Sequence, residues 1–307
     1  MLSYINSYWA NTISSIYYAA VMYARVPLPL NEGLYRPVQV HLGPPGTLTN
    51  AVYPAPCSAA TSTVGDNITD AVRDALAHAY PERAVAGWAH SAGTNQVASD
   101  PRTGDFYNFN MIIGTSGGAG ATYGLDGWHC LNLIGGGGGI LTGDVELLEH
   151  EYPVTIHRYE LREDSAGPGR WRGGLGVDFE TSPVDHTASL VLWGEGFTYP
   201  AAGVLGAAAK FPERKVVQKF LIDGDERMPL TNNLVYEIRP DQRLLTSPGG
   251  GGGVGDPFER DVEAVCADVR NGLVSPEAAR VEYGVVLDPD TFEVDEAATA
   301  PLRMRVT

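Results

Sequence analysis

The segment 144–176 constrains the fold of this chain more strongly than any other stretch. It mixes a run of carboxylates with arginines, a composition that usually indicates a solvent-exposed helix face. One long helix is excluded, because Pro153 and the Gly-Pro-Gly turn at 167–169 interrupt it. The arginines must therefore be held by turns. Arg170 and Arg172 would point the same way in an extended segment, which suits them to grip carboxylates or an anion.

The composition indicates a packed globular protein. The chain has 307 residues, 44% of them hydrophobic, enough for one large domain or two ordinary ones. A formal net charge of −16 argues against binding to nucleic acid or to an anionic membrane. Its few, widely spaced cysteines are typical of reduced thiols in a cytosolic protein. Cys130 beside His129 is a candidate nucleophile, although adjacent residues seldom point at the same atom.

Residues 2–22 predict a helix that needs a covering surface. Its polar residues exclude a membrane span, and it lacks the basic start and continuous apolar core of a signal peptide. The apolar side chains that recur at helical spacing are Ile5, Trp9, Ile13, Ile16 and Ala20. Exposed, they would form a sticky patch. We expect a second polypeptide to dock on residues 1–30; the alternative is that the helix folds back onto the core of this chain.

Residues 1–150 are predicted to form a mixed α/β part with Gly-rich loops. Alternating apolar residues predict a strand at 35–42. Asp66 is the predicted N-cap of a helix that runs from residue 67 to 79. The predicted buried stripe of that helix is Ile68, Val72, Ala75, Leu76 and Ala79. Short apolar runs between residues 84 and 116 predict strands and loops.

Residues 151–307 are predicted to form a β-rich part with two terminal helices, so the whole chain is α+β. Strand-length runs at 189–193, 215–222 and 233–238 predict an antiparallel sandwich or a barrel-like layer. Asp261 opens the first helix, and Ser275 followed by proline opens the second. The acidic tail after Asp288 is expected to be loosely ordered.

Two glycine-rich runs, 116–124 and 132–139, suggest a nucleotide-binding loop but lack its chemistry. Neither is followed by Lys-Ser or Lys-Thr, and no clear strand-to-helix unit surrounds either run, so the P-loop and dinucleotide patterns both fail. Two alternatives stay open: a backbone surface that a substrate or partner protein approaches closely, or loops in which glycine supplies a positive φ. A third run at 247–257 is predicted to be a mobile or ligand-facing loop.

Asp126 is the first candidate catalytic residue, since it follows the first glycine-rich run. Glu146 and Glu149, one helical turn apart, come second, because two carboxylates can position water or act as acid and base; alternatively they pair with arginines of their own segment. The predicted substrate-binding residues are Gly118, Gly120, Gly127, Arg162, Arg170 and Arg172. Arg170 and Arg172 are alternatively structural clamps on nearby carboxylates. No metal site is predicted, because the histidines are scattered.

Motifs along nearly the whole chain share one resemblance. The most specific is Tyr-Glu-Leu-Arg-Glu-Asp-Ser-Ala-Gly-Pro-Gly-Arg-Trp-Arg-Gly-Gly-Leu-Gly at 159–176. Further matches follow in order at 54–56, 70–83, 117–127, 248–257, 268–272 and 283–286. By these motifs the chain resembles the hydantoinase B / oxoprolinase family, which includes B subunits of ATP-dependent N-methylhydantoinases and related subunits of acetone and acetophenone carboxylases. The family's B polypeptide is longer, and this chain looks like its C-terminal half only.

The resemblance implies one component of a cytoplasmic, ATP-dependent, multi-subunit hydrolase that opens a cyclic amide such as a hydantoin or oxoproline. It implies three partners: an A-type ATP-binding subunit, a polypeptide equivalent to the N-terminal half of the B component, and a small-molecule substrate. ATP and a divalent metal are expected on the partner subunits, with no cofactor in this chain. Two alternatives stay open: a component of an ATP-dependent ketone carboxylase, or a noncatalytic scaffold.

Overall fold

The computed structural model describes residues 5–24, 29–57, 59–90, 92–111, 113–131, 133–136, 138–197, 199–207, 219–223, 228–230, 235–288 and 290–304. The α-helices of these ranges are α1 (Trp9–Ala24), α2 (Glu32–Tyr35), α3 (Val64–Ala79), α4 (Val145–Glu151), α5 (Val262–Arg270), α6 (Pro276–Tyr283) and α7 (Glu296–Arg303). The strands are β1 (Ala92–Ser99), β2 (Phe106–Asn110), β3 (Val154–Leu161), β4 (Val177–Pro183), β5 (Ala188–Gly194), β6 (Lys219–Asp223), β7 (Met228–Leu230), β8 (Val235–Ile238) and β9 (Arg243–Ser247).

Two antiparallel sheets share one hydrophobic core. The first sheet has the strand order β2-β1-β5-β8, and the second has the order β3-β4-β9-β6-β7. Side chains from both sheets meet in the core: Tyr107, Phe109, Val154, Phe179, Leu190, Leu192, Ile222, Ile238 and Leu244. Along β5, buried and half-buried residues alternate, as expected for a strand with one face on the core. The α+β class and the sandwich are confirmed, and the described strands form no closed barrel.

The first sheet takes strands from both sides of residue 150. β1 pairs with β2 and with β5, so that Asn95 lies opposite both Asn110 and Val191. The hydrogen bonds of one sheet therefore cross the predicted boundary between the two parts of the chain. The strand predicted at 189–193 is β5, and the end of the one predicted at 233–238 is β8. Residues 215–218 and 233–234, also predicted as strand, lie outside the described ranges.

Three glycine-rich segments cross at a buried contact, the glycine junction: residues 117–120, 173–176 and 249–253. Their backbones are hydrogen-bonded directly to one another. The Gly174 N–H donates to the Ala119 carbonyl at 2.8 Å, and the Gly251 N–H donates to the Gly174 carbonyl at 2.9 Å. A β-carbon at Gly118 would lie 1.9 Å from the Gly174 carbonyl oxygen. Glycine is required at this junction because the backbones themselves are in contact.

The glycine-rich runs contain both kinds of glycine that were predicted: loop glycines with positive φ and glycines that another group approaches closely. Gly124 and Gly138 have positive φ values of 95° and 75°, as loop glycines do. Gly118 and Gly120 are close-approach glycines, but what approaches them is the backbone of the same chain. The mobile or ligand-facing loop predicted at 247–257 is wrong, because residues 247–254 are buried.

Helices α1 and α3 pack against each other through small and polar side chains. The buried residues of α1 are Thr12, Ser15, Ala19 and Tyr23. The buried residues of α3 are Val64, Gly65, Asp66, Thr69, Arg73 and Ala77. At the contact, the Thr69 hydroxyl donates to the Ser15 carbonyl at 3.3 Å, and the Tyr23 hydroxyl donates to the Arg73 carbonyl at 2.9 Å. Hydrogen bonds and close approach, rather than large apolar residues, therefore join the two helices.

The most apolar faces of these two helices point away from their contact. In α1, Trp9 is 60% exposed, while Ile13 and Ile16 are only half-buried. In α3, the predicted buried stripe is wrong, because each of its members is exposed or half-buried. The predicted N-cap is wrong as well. The helix begins at Val64, and Asp66 is buried within its first turn.

The C-terminal helices follow the predicted capping residues. The side chains of Asp261 and Ser275 accept hydrogen bonds from first-turn N–H groups of α5 and α6. The prediction of a loose acidic tail is wrong, because Asp295 caps α7 in the same way. The strand predicted at 35–42 is wrong too, since this segment holds the end of α2 and irregular backbone. Within the described ranges, no helix is long and apolar enough to cross a membrane.

Candidate active site

Two arginines and two aspartates form a closed set of ion pairs, the Arg–Asp network: Asp126, Arg172, Arg260 and Asp268. Arg172 donates from Nε and Nη2 to the two Asp268 oxygens at 3.1 and 3.0 Å. Arg260 donates from Nη1 and Nη2 to the two Asp126 oxygens, each at 2.7 Å, and Nη2 also donates to Asp268 at 2.8 Å. Bidentate pairs of this kind fix the orientation of both partners.

The ion pairs of the network offset the effect of burial on its charges. The side chains of Arg172 and Arg260 are each 5% exposed, and that of Asp126 is 35% exposed. Burial alone would raise the pKa of the Asp126 carboxyl, but the hydrogen bonds and the charge of Arg260 lower it below its usual value. Two positive charges therefore face two negative charges, which avoids the cost of an unpaired buried ion.

Distant parts of the sequence supply the network. Asp126 follows the first glycine-rich run, Arg172 borders the glycine junction, and Asp268 lies on α5. The backbone N–H of Arg172 also donates to Asp126 at 2.7 Å. Arg172 does not pair with the carboxylates of its own segment, which were its predicted partners. Its partners are Asp126 and Asp268, which lie 46 and 96 residues away in sequence.

An open cleft of about 580 Å³ lies beside the Arg–Asp network. Asp126 and Arg260 form part of its wall, together with Leu125, Arg170 and Trp171. The Arg170 guanidinium carbon lies 5.0 Å from the centre of the Trp171 ring, and half of the Arg170 side chain is exposed. Five of the nine lining residues are charged, and the apolar side chains of Leu125 and Trp171 stand among them. Polar groups that converge beside apolar side chains are typical of a small-molecule site.

Glu146 and Glu149, the other predicted catalytic residues, do not line this cleft. Glu149 lines a different depression of about 380 Å³, together with Arg102 and Tyr152. Its Oε1 atom accepts a hydrogen bond from the Ile156 N–H at 2.6 Å. Glu146 is exposed on α4. The catalytic role of these two glutamates stays a prediction.

The predicted substrate-binding glycines lie behind the surface of the cleft. Gly118 and Gly120 are buried in the glycine junction. Gly127 is buried as well, and its N–H donates to the Arg172 carbonyl at 2.7 Å. We place these glycines in the framework of the site; a direct contact with substrate stays a prediction.

The predicted arginines divide into exposed and enclosed side chains. Arg170 borders the cleft, with Nη1 at 3.6 Å from Glu259, whereas Arg172 is buried in the network. Arg162 donates from Nη2 to the Pro248 carbonyl at 2.8 Å, which ties two segments of the glycine-rich core. Among the predicted site residues, the structure thus brings Asp126, Gly127, Arg170 and Arg172 together.

A histidine–carboxylate pair between α3 and the first sheet was absent from the predicted site. His90 Nε2 lies 2.8 Å from Asp70 Oδ2, and Arg73 Nε donates to the other Asp70 oxygen at 3.1 Å. Burial alone would lower the pKa of His90, but Asp70, with the charges of Asp66 and Glu195, raises it. Asp70 begins the motif at 70–83, but His90 lies 20 residues further on among uncharged neighbours, so nothing local to His90 signals the pair.

Cys130 and His129 do not form a nucleophile pair. The thiol lies 3.2 Å from the Tyr159 hydroxyl, and burial raises the pKa of the thiol, whereas a nucleophilic thiolate requires a lowered one. His129 Nδ1 accepts a hydrogen bond from the Leu175 N–H at 2.9 Å. In the part of the chain that the structure describes, no three His, Cys, Asp or Glu side chains are grouped to hold a metal ion.

The sequence of this chain matches a known family. Residues 1–257 match the family model of Hydantoinase B/oxoprolinase. Because the match covers most of the chain, the protein belongs to this family, and the resemblance found in its motifs is confirmed.

Two relatives are named as subunits of a caprolactamase and of a hydantoinase. The beta subunit of caprolactamase from Pseudomonas jessenii is 46% identical over 96% of this chain and 51% of that protein. The putative B subunit of a D-/L-hydantoinase from Pseudomonas sp. (strain NS671) is 31% identical over 95% of this chain and 47% of that protein. The crystal structure of ATP-dependent caprolactamase from Pseudomonas jessenii matches with a TM-score of 0.87 at 42% identity, over 98% of this chain and 52% of that chain. The chain spans about half the length of these relatives and corresponds to their C-terminal portion.

Proposed function

We propose that this chain is the C-terminal part of the B component of an ATP-dependent hydrolase that opens a cyclic amide, a lactam or a hydantoin-like ring. One observation carries the proposal: the 46% identity to the beta subunit of caprolactamase extends over 96% of this chain. The shared fold, with a TM-score of 0.87, supports it.

The cleft offers the groups that a cyclic amide needs. Such a ring presents apolar methylene groups, an N–H donor and a carbonyl acceptor. Leu125 and Trp171 provide the apolar wall, the Asp126 carboxylate accepts from the N–H, and the exposed Arg170 donates to the carbonyl. The lowered pKa of Asp126 keeps it an acceptor. Because both of its oxygens already accept hydrogen bonds from Arg260, Asp126 positions the ring rather than removing a proton.

The remaining chemistry is assigned to partner subunits. An A-type subunit would supply ATP, whose phosphoryl group activates the amide oxygen, and the other half of the B component would supply the divalent metal. The residues of this chain bind and orient the ring. The free thiols of Cys57, Cys130 and Cys266 support a cytoplasmic setting for the complex.

The outward face of α1 is the proposed docking surface for the other half of the B component. Trp9 is exposed and Ile13 and Ile16 are half-buried, beside the side of the helix that packs on α3. A single large side chain contributes about 1.5–3 kcal/mol when it is fully buried. The mass of the purified chain in solution, with and without residues 1–24, tests this. A full-length chain that stays a well-folded monomer in the presence of the other half contradicts it.

Reconstitution tests the function itself. The chain is combined with the other half of the B component and an A-type subunit, and ring opening of a lactam and of a hydantoin is followed with ATP consumption. We expect ATP-dependent ring opening by the full assembly and neither activity from this chain alone. Asp126→Asn should raise KM more than it lowers kcat. ATP-dependent carboxylation of a ketone without ring opening would instead identify a component of a carboxylase.

Two further results would count against the assignment. Steady ATP turnover by the purified single chain, at a rate that follows its concentration through every purification step, contradicts the division of labour within the complex. Full activity of the partners without this chain would show that the chain has no catalytic role and is at most a scaffold.

A further inference from the structure

Three polar side chains form a continuous line of hydrogen bonds into the core of the sandwich, the polar relay: Gln96 on β1, Tyr107 on β2 and His186 in the turn between β4 and β5. Gln96 Nε2 donates to the Tyr107 hydroxyl at 2.7 Å, and that hydroxyl lies 2.6 Å from His186 Nε2. Gln96 is fully buried and Tyr107 is 8% exposed, whereas His186 is half-buried. The polar relay therefore runs from a surface turn that joins the two sheets to a side chain inside them.

The second ring nitrogen of His186 fixes one of its protons. Nδ1 lies 2.7 Å from the Val184 carbonyl, which can only accept a hydrogen bond, so Nδ1 carries a hydrogen. The charge of His186 then depends only on Nε2. In the neutral ring, Nε2 must accept from the Tyr107 hydroxyl, and in the charged ring it must donate to that hydroxyl.

The Tyr107 hydroxyl passes this choice on to Gln96, because it has a single hydrogen to place. Beside a neutral His186, the hydrogen points at Nε2 and the hydroxyl oxygen accepts from Gln96. Beside a charged His186, the hydrogen must turn away and needs another acceptor. Burial raises the pKa of the Tyr107 hydroxyl, so the hydroxyl keeps its hydrogen in both cases.

Gln96 Oε1 is suited to be that acceptor. It is buried, and nowhere in the described ranges does it have a hydrogen-bond partner. A half-turn of the side-chain amide exchanges Oε1 with Nε2 and brings Oε1 to the Tyr107 hydroxyl. Both arrangements then contain two hydrogen bonds: Gln96 to Tyr107 to His186 in the neutral state, and His186 to Tyr107 to Gln96 in the charged state.

The charged groups around His186 include three carboxylates and one arginine. Both Asp100 oxygens already accept from Arg102, which lowers the pKa of Asp100, and the charge of His186 adds to this effect. Asp185 precedes His186 in the chain and lines the 380 Å³ depression with Arg102 and Glu149. Carboxylates nearby favour a charged imidazole, whereas Arg102 opposes it. Because Arg102 occupies Asp100, Gln96 is the better acceptor for the Tyr107 hydroxyl.

We propose that the polar relay reverses the direction of its hydrogen bonds when His186 gains a proton, so that a charge at the surface turn reorients the buried amide of Gln96. The first sheet thereby accommodates both charge states of His186 without losing a hydrogen bond. This device is independent of the proposed function, because none of its three residues lines the cleft beside the Arg–Asp network.

Nuclear magnetic resonance tests the reversal directly. The full chain, labelled with ¹⁵N in its glutamine and histidine side chains, is titrated with acid through the range in which histidine changes charge. We expect the Gln96 amide resonances to shift at the same midpoint as the His186 ring. Tyr107→Phe removes the connecting hydroxyl, so Gln96 should no longer follow His186. Tyr152→Phe is the matched control: its ring packs 6.2 Å from that of Tyr107, its hydroxyl is outside the relay, and the two resonances should still shift together.

The unfolding equilibrium of Gln96→Met gives a second readout. In this variant, a charged His186 leaves the Tyr107 hydroxyl without its buried acceptor. Across the titration of His186, the unfolding constant should therefore rise about tenfold more than in the wild type, as for one unmet buried hydrogen bond. Equal pH dependence of the two unfolding constants overturns the proposal, even if Tyr107→Phe fails to fold.

Three results from the resonances would also overturn it. The first is a Gln96 amide that stays constant while His186 titrates in the wild type, as expected if the Tyr107 hydroxyl turned to Asp100 instead. The second is a Gln96 amide that still follows His186 in folded Tyr107→Phe. The third is a His186 ring that stays neutral until the chain unfolds.

Discussion

Two regions of the molecule, the glycine junction with its Arg–Asp network and the α1–α3 pair, bury different kinds of residue. In the first region, charged side chains such as Arg172 and Arg260 are enclosed and backbones touch directly. In the second, small and polar residues face inward, while Trp9 and its apolar neighbours face outward. Hydrophobicity alone therefore assigns inside and outside incorrectly in both regions.

The two regions differ in whether the chain itself provides the partners of their side chains. The network has a counter-charge for every ion, so its charges need no further ion to balance them. The outward face of α1 has apolar area that only another surface can cover. Substitutions in the first region should therefore act on stability, and substitutions on α1 should act on assembly.

The largest effect is expected from opening the network. Arg172→Ala leaves Asp268 buried without its bidentate partner, and breaking a buried pair costs about 3–5 kcal/mol. Urea unfolding of the single chain measures the loss. Arg170→Ala is the matched control, because its side chain is half exposed and should cost less than about 1 kcal/mol. If Arg172→Ala melts and assembles like the wild type but loses turnover, Arg172 acts in catalysis instead.

Gly118→Ala should have the next largest effect. The new β-carbon would lie 1.9 Å from the Gly174 carbonyl oxygen, and forcing backbones apart in a packed core costs about 1–3 kcal/mol or more. Gly43→Ala is the control, because its β-carbon would only reach Thr47 Oγ1 at 3.6 Å. Equal melting temperatures for the two variants would show that the junction is loosely packed.

A smaller effect is expected from pH at His90, which lies between α3 and the first sheet. Its folded pKa is raised, so protonated His90 stabilises the fold. The contribution is complete below the unfolded pKa of about 6.5 and is lost as pH rises through the folded pKa. The free energy of unfolding should fall across that window in the wild type and stay flatter in His90→Gln. His78→Gln, at an exposed position of α3, should keep the wild-type slope.

The smallest effect on stability is expected at Trp9. Trp9→Ser should change the free energy of unfolding of the single chain by less than about 0.5 kcal/mol, since the side chain is 60% exposed. The same variant should bind the other half of the B component more weakly, whereas Trp128→Ser, at a 70% exposed position outside α1, should not. A large loss of stability in Trp9→Ser would place the residue in the core of this chain and remove the contrast between the two regions.

Local chemistry made part of this fold predictable from the sequence. The caps Asp261 and Ser275 act within one helical turn, and β5 shows strand alternation, so short windows are sufficient. The buried face of α3 was not predictable, because hydrogen bonds and close approach outweigh apolar periodicity there. The α7 helix was missed because an acidic segment precedes it and Pro301 lies inside it.

The candidate site was only half predictable for a related reason. Asp126 and Arg172 stand next to recognisable motifs, whereas Arg260 lies 134 residues from Asp126 and carries no motif of its own. Charged residues that pair across so many positions of sequence produce no recognisable pattern in a short stretch of it. The cleft itself depends on the turn at Leu125 and on Trp171, which the fold alone brings together.

The pairing of β1 with β5 has a consequence for the way a ribosome delivers this chain. The backbone of Asn95 cannot pair with β5 until the ribosome has added Val191. At about 5–20 residues per second, that interval lasts several seconds. During it, the β1–β2 hairpin presents an open strand edge, which is a template for aggregation. Protection of the nascent chain by holdase chaperones, more than the stability of the finished sandwich, should therefore limit the yield of this protein in a bacterial host.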